Sequence, residues 1–194
     1  MKRLAIIGFI LFAGLSFGRK DEYLVLSGDN RHLGNLTVTH TIDKDVEEIL
    51  VESQITIKKI FTLVISYTLH STFIGRKLVS NKITTYNNNL VKDVMSTEKR
   101  PSGYWFTKNT KENKVKDFTF CESMMYYNEP ANCSEVYSEF DGVFKPLEYC
   151  KEDQHYELTN PLNNHVSKYF YKEGVLQKAI VKSTLMTLFL YRKV

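Results

Sequence analysis

The side chains that could bind a metal or move a proton are few, and their spacing is uninformative. Five histidines, His32, His40, His70, His155 and His165, include no H-E-x-x-H or H-x-H arrangement, so metal catalysis has no support from spacing. Cys121, Cys133 and Cys150 lack the close cysteine pairs and adjacent histidine of zinc sites. A serine nucleophile would need a strained G-x-S-x-G elbow, and residues 19–194 contain none. The carboxylate pairs Glu47-Glu48, Glu112 with Asp117, and Glu152-Asp153 sit among polar residues and read as solvated surface rather than as acid and base. No glycine-rich phosphate loop occurs, and the nine glycines are scattered as turn residues. No catalytic residue, metal or cofactor is expected.

The compartment is more legible than the chemistry. Lys2 and Arg3 precede an apolar stretch from Leu4 to Phe17, and Ser16 and Gly18 flank Phe17 in the manner of an A-x-A cleavage site. The stretch is too short for the roughly 20 residues of a membrane-spanning helix. Residues 1–18 are therefore expected to be a signal peptide, with residues 19–194 forming a single β-rich domain. No cysteine lies in or just after the segment to carry a lipid, so the product should be soluble and periplasmic or secreted, and not a lipoprotein. Loss of Lys2 and Arg3 lowers the net charge from +4 to +2, which gives no case for a nucleic-acid partner.

Positioning elements follow from hydrophobic periodicity. Phe61, Leu63, Ile65, Tyr67, Leu69 and Phe73 alternate with Thr62, Ser66, Thr68, His70 and Thr72, the period of a half-buried strand. Similar alternation at Leu36, Val38 and Ile42, and at Ile49, Val51, Ile55 and Ile57, with turn residues at 43–45, 75–76, 87–89, 141–142, 163–164 and 173–174, predicts a mainly antiparallel all-β fold. One segment departs from this pattern. Thr119 and Glu122 have the spacing of a capping box and Pro130 is a stop, so a short helix is expected near residues 120–128, with Cys121, Met124 and Met125 on one stripe plugging a curved sheet.

Three cysteines in an exported chain allow one disulfide. If Asp141-Gly142 forms a two-residue hairpin turn, Cys133 falls opposite Cys150 at a non-hydrogen-bonded pair, where side chains approach most closely. That register also puts Glu135 opposite Glu148, a mildly unfavourable pairing, and a single bulge would undo it.

The aromatic supply, 12 Tyr, 12 Phe and Trp105, has two readings. It is either an ordinary core or a cleft lined by Phe61, Leu63, Ile65, Tyr67, Leu69 and Phe73, with Met124 and Met125, that takes an apolar or amphipathic small molecule such as a lipid. The early Gly34-x-Leu36-x-Val38 strand, Gly75-Arg76-Lys77-Leu78, Thr119-Phe120-Cys121-Glu122-Ser123 with Glu129-Pro130, and the late Tyr169 to Gly174 hairpin resemble a family of exported, uncharacterised bacterial proteins known only as a domain of unknown function. The resemblance implies a periplasmic domain whose curved meander sheet wraps into a half-barrel or barrel, and transfers no catalytic residue. More distantly the chain looks like lipoprotein-localisation carriers, half-barrels that close over a helix and bind acyl chains. The expected function is non-enzymatic binding in the concavity. The alternatives are a structural or protein-interaction component of the cell envelope and, third, an unrecognised hydrolase.

Overall fold

The computed structural model describes residues 17–58, 61–183 and 185–193. The expected signal segment lies outside the described residues except for Phe17 and Gly18, which open the first strand. Fourteen strands follow in chain order: β1 (Phe17–Ser27), β2 (His32–Asp43), β3 (Val46–Lys58), β4 (Thr62–Ile74), β5 (Lys77–Asn87), β6 (Leu90–Arg100), β7 (Gly103–Lys108), β8 (Lys111–Val115), β9 (Glu135–Ser138), β10 (Val143–Cys150), β11 (His155–Asn160), β12 (His165–Lys172), β13 (Val175–Lys182) and β14 (Thr187–Arg192). They make one antiparallel sheet in the order β8-β7-β6-β5-β4-β3-β2-β1-β14-β13-β12-β11-β10-β9. The chain meanders outward from β1 to one edge, crosses to the other, and meanders back until β14 pairs with β1.

Alternation dictates this sheet and the side on which its core lies. Tyr23 and Val25, Leu36 and Val38, Ile49, Val51 and Ile55, and Leu69 and Phe73 are all buried, while their odd-period neighbours are half-buried or exposed. Register shifts at Val25/Leu26, Thr72/Phe73, Thr85/Tyr86 and Phe170/Tyr171 bend the strands, and bulges of this kind curl a sheet. The sheet is not closed by a backbone ladder, since β8 and β9 are its two edges. Side chains complete the curl instead. Phe118, on the crossing segment, lies between Tyr104 of β7 at 4.4 Å and Tyr137 of β9 at 4.2 Å, and the Tyr137 hydroxyl meets Thr97 Oγ1 of β6 at 2.9 Å.

Gly34 shows how tightly β2 and β3 approach. A methyl group there would run into the Gln54 carbonyl oxygen, which is fixed in the strand and cannot rotate away. Gly34→Ala is expected to cost about 1–3 kcal/mol, the usual penalty of forcing an extra carbon into packed surroundings. Urea unfolding of the variant against the parent checks it.

The expected helix is present in shortened form, as a 3-10 helix over Glu122–Tyr126. The capping box does not form. Cys121 occupies the cap position without a side-chain bond, and Glu122 turns to Lys145 and Ser138, because a buried ammonium attracts a carboxylate more strongly than a backbone amide does. The helix is a plug held from both halves of the sheet. Tyr127 donates to the Val38 carbonyl at 2.7 Å, and Tyr171 donates to the Met125 carbonyl at 2.8 Å.

The hairpin between β9 and β10 also differs from expectation. Residues 139–142 form its loop, so Val143 faces Ser138 and Pro146 faces Glu135, two residues out of step with a two-residue Asp141-Gly142 turn. The Leu147 amide donates to the Ser134 carbonyl at 2.9 Å, and the same register carried outward sets position 133 against 148. Cys133 therefore does not face Cys150, whose cross-strand partner is His155 of β11, and all three thiols are free. The longer loop is specified by Gly142, whose φ of +67° a side chain rarely adopts and whose missing Cβ makes room for the Phe106 ring.

Candidate functional site

A cavity of about 520 Å3 opens inside the concave face, within the roughly 300–1,000 Å3 typical of small-molecule sites. Inward-facing residues of the central strands form its apolar wall, among them Val25, Leu36, Val51, Ile55, Leu69, Leu176 and Leu190. They share one face because alternate residues of neighbouring strands must. The mouth lies where β3 and β13 end and β4 and β14 begin, with Ile57, Lys92, Asn163, Lys182, Ser183, Leu185 and Met186 around it. Phe61, Leu90, Val91, Leu162 and Leu185 are exposed at strand ends and loops on this same end. Toward the other end the interior is filled by Tyr23, by Tyr127 stacked on His40, and by Asp21, which Arg192 holds at 2.6 Å.

The structure brings together part of the residue set expected from sequence. Ile65, Tyr67, Leu69 and Met125 line the cavity. Phe73 and Met124 are buried in the surrounding core instead, and Leu63 is half-buried away from the lining. Phe61 precedes β4 and is 72% exposed, so it lies on the rim rather than in the wall. Strand alternation identifies a face but not the depth along it, and the cavity occupies only the upper part of that face.

A polar patch faces the apolar wall, and spacing alone gave no sign of it. Glu122 and Ser123 of the 3-10 helix, Asp141 of the β9–β10 loop, Lys145 of β10 and Asn160 of β11 contribute to the lining. Lys145 Nζ lies 2.8 Å from Glu122 Oε1 and 2.9 Å from Asp141 Oδ2, with Lys145 only 11% exposed. Burial pulls the ammonium down, but the two carboxylates outweigh it, so Lys145 holds its proton more tightly than a free lysine does. Ser138 Oγ donates to Glu122 at 2.8 Å, and Asn160 Nδ2 donates to Asp141 at 3.1 Å, completing a satisfied network. An ammonium already shared by two carboxylates is a poor nucleophile and a poor base.

Behind this patch Glu139 is fully buried. It accepts from the Ser123 amide at 3.2 Å and from Ser71 Oγ at 3.4 Å. Burial pushes its carboxyl above the ordinary 4.5. The folded protein thus keeps the Glu139 proton to higher pH than the unfolded chain does. The stability this group contributes is whole below about 4.5 and is lost as pH rises through the folded value. Glu139→Gln, whose oxygen still accepts from the Ser123 amide while its nitrogen donates to Ser71 Oγ, carries no charge and is expected to raise the urea midpoint at pH 7 and to leave it nearly unchanged at pH 4. Parallel denaturation at the two pH values checks the sign.

Tyrosines supply the remaining polar atoms. Burial pushes Tyr67 up to about 12 and raises Tyr126 and Tyr169 as well, so all three remain neutral hydroxyls that can donate but cannot act as phenolate. The cavity therefore offers hydrogen bonds and apolar surface, with no activated nucleophile among its described residues. The group of side chains able to hold a metal ion, Cys150, Asp153 and His155, lies at the β10–β11 hairpin. From there to Asn160 in the cavity wall is five residues along β11, about 17 Å.

A curled antiparallel sheet with a side-chain seam, a helical plug and an internal cavity defines a barrel-like, unclosed β-domain. The chain belongs to the family described as Domain of unknown function (DUF6134), whose model matches residues 23–193. Among solved structures it is similar to a beta-barrel-like protein of Domain of Unknown Function DUF1849 from Brucella abortus, with a TM-score of 0.56 over 90% of this chain and 95% of that one. At 7% identity the likeness is one of fold alone. Comparison with curated proteins finds no match. Among the described residues no helix is long and apolar enough to cross a membrane.

Proposed function

We propose that the protein is an exported, non-enzymatic binder of a single-chain anionic amphiphile, holding the hydrocarbon in the cavity and the head group at the mouth. The observation that carries this reading is an unfilled cavity of about 520 Å3 with an apolar wall on one side and a neutralised polar network on the other. A chain laid against that wall gains about 0.8 kcal/mol for each methylene removed from water. Because Glu122 and Asp141 already occupy Lys145, an anionic head is not drawn to the polar patch. Lys92 and Lys182 at the mouth supply the free positive charge. The exposed apolar side chains on the rim suit collection of such a molecule from a lipid surface. Export rests on the Lys2, Arg3 and Leu4–Phe17 segment, with the periplasm as the compartment.

The exposed sheet edge gives less support to an envelope-interaction role. β8 is short and carries exposed Lys111, Glu112 and Lys114, a composition that discourages strand addition.

The test is uptake of a fluorescent fatty acid by the purified chain, compared with its uncharged methyl ester. The pair Lys92→Gln and Lys182→Gln is expected to weaken the acid about fivefold, at roughly 0.5 kcal/mol per exposed charge removed, and to leave the ester unchanged. Equal weakening of both probes, or none, would remove the assignment of the head group to the mouth.

A further inference from the structure

We propose that Cys150, Asp153 and His155 form a binding site for a zinc-class divalent cation at the β10–β11 hairpin, a site independent of the cavity. Cys150 and His155 are directly paired across the two strands, so their side chains leave the same face of the sheet. The turn between them returns Asp153 to that face. The Cys150 sulfur, a carboxylate oxygen of Asp153 and an imidazole nitrogen of His155 all lie within 4.8 Å of one another. Donor atoms around a tetrahedral zinc stand about 3.5 Å apart, from metal–ligand lengths of about 2.0–2.3 Å. Asp153 is exposed and Cys150 half-buried, so these two side chains are the ones with room to move toward that spacing.

The histidine is what marks this as a site rather than a chance grouping. His155 is 1% exposed, and its Nδ1 is buried with no hydrogen-bond partner. Its Nε2 lies 3.1 Å from Glu157 Oε1, and Glu157 also takes Lys168 Nζ at 3.0 Å. With Lys168 Nζ on the same oxygen, Glu157 Oε1 is an acceptor that takes Nε2–H. That bond leaves the proton on Nε2 and a bare lone pair on Nδ1. A buried acceptor with nothing to accept is costly unless something fills it, and a cation does so. Carboxylate to histidine to metal is also how ligating imidazoles are oriented, and stacking of the ring on Phe170 at 5.0 Å fixes its plane. Thiolate, imidazole and carboxylate together suit zinc better than magnesium or calcium. Three protein donors leave the fourth position to solvent or to a donor from another molecule.

Cobalt(II) reports the site directly, because a bound thiolate gives a charge-transfer band in the near ultraviolet. The full chain, stripped with chelator and kept reduced with a phosphine, is titrated with Co2+ and then with Zn2+. One equivalent of Co2+ should produce the band and Zn2+ should abolish it. Cys150→Ser should remove the band. Asp153→Asn, at an exposed position where misfolding is not a concern, should weaken Co2+ by at least tenfold. Glu157→Gln, which acts through His155, should weaken it about 10–100-fold without removing the band. His155→Gln, checked for folding by circular dichroism, should lose binding. A band that persists in Cys150→Ser, an affinity unchanged in Asp153→Asn, or no stoichiometric binding at all would overturn the assignment.

Discussion

Lys145→Met is expected to destabilise the fold by about 3–5 kcal/mol, the cost of breaking a buried ion pair from one side. Methionine is close in length and keeps the stem packed, so the loss is electrostatic rather than steric. It leaves Glu122 and Asp141 partly buried beside each other without the ammonium they share, with Glu139 behind them. Because Glu122 opens the plug helix and Asp141 lies in the β9–β10 loop, the same change should loosen the contact between plug and sheet. The triple change Lys145→Met, Glu122→Gln and Asp141→Asn should recover most of the loss, since neutral groups keep their hydrogen bonds to Ser138 and Asn160. Guanidinium unfolding of the single and triple variants measures both. A single variant within about 1 kcal/mol of the parent would show that the network is solvated and is not the polar floor described here.

Ser53→Phe should abolish uptake of a fatty acid while leaving the fold intact. Ser53 is a small, half-buried residue in the inward row of β3, between buried Val51 and Ile55, and it borders the cavity rather than the packed core. A phenyl ring placed there enters empty space. It takes the room of about four methylenes of a bound chain, which at roughly 0.8 kcal/mol each corresponds to more than a hundredfold in affinity. Thermal unfolding should be unchanged or slightly higher, because filling a cavity adds contacts. Unchanged uptake in a folded Ser53→Phe protein would place the ligand elsewhere.

How far the sequence reached depends on which residues are asked. The strands were legible because Ile49, Val51 and Ile55, or Leu69 and Phe73, alternate with polar neighbours over a whole element, and a period of two has one common structural cause. The short helical plug was marked by a departure from that pattern at residues 120–128, and the curvature of the sheet by the family resemblance. What failed was local arithmetic. Asp141-Gly142 looked like a two-residue turn, yet residues 139–142 form the loop, because Glu139 is drawn into the core to accept from Ser123 and Ser71. A slip of two residues keeps every side chain on its face but changes each partner, which is why position 133 falls against 148 and not against Cys150; His155 pairs with Cys150 from the other neighbouring strand, β11. Glu122 misled for the same reason. Its spacing from Thr119 suggested a cap, while Lys145, 23 residues later, claims it in three dimensions.

The candidate site residues were the least visible. Glu122, Asp141, Lys145 and Asn160 come from four separate elements, and no spacing rule joins them. Cys150, Asp153 and His155 are close in sequence, but they match no zinc pattern built on cysteine pairs. Only the hairpin that pairs Cys150 with His155, and the Glu157 carboxylate that leaves Nδ1 bare, give them meaning.

The central claim is that the concavity is an open site for an amphipathic molecule rather than a core with a gap in it. Native mass spectrometry after detergent-free purification tests this most directly, with a saturated fatty acid added to the parent chain and to Ser53→Phe. A discrete one-to-one adduct on the parent, absent from the folded variant, is the result expected. A bare parent mass with no adduct at any fatty-acid concentration, together with no uptake of the fluorescent analogue, would contradict the account.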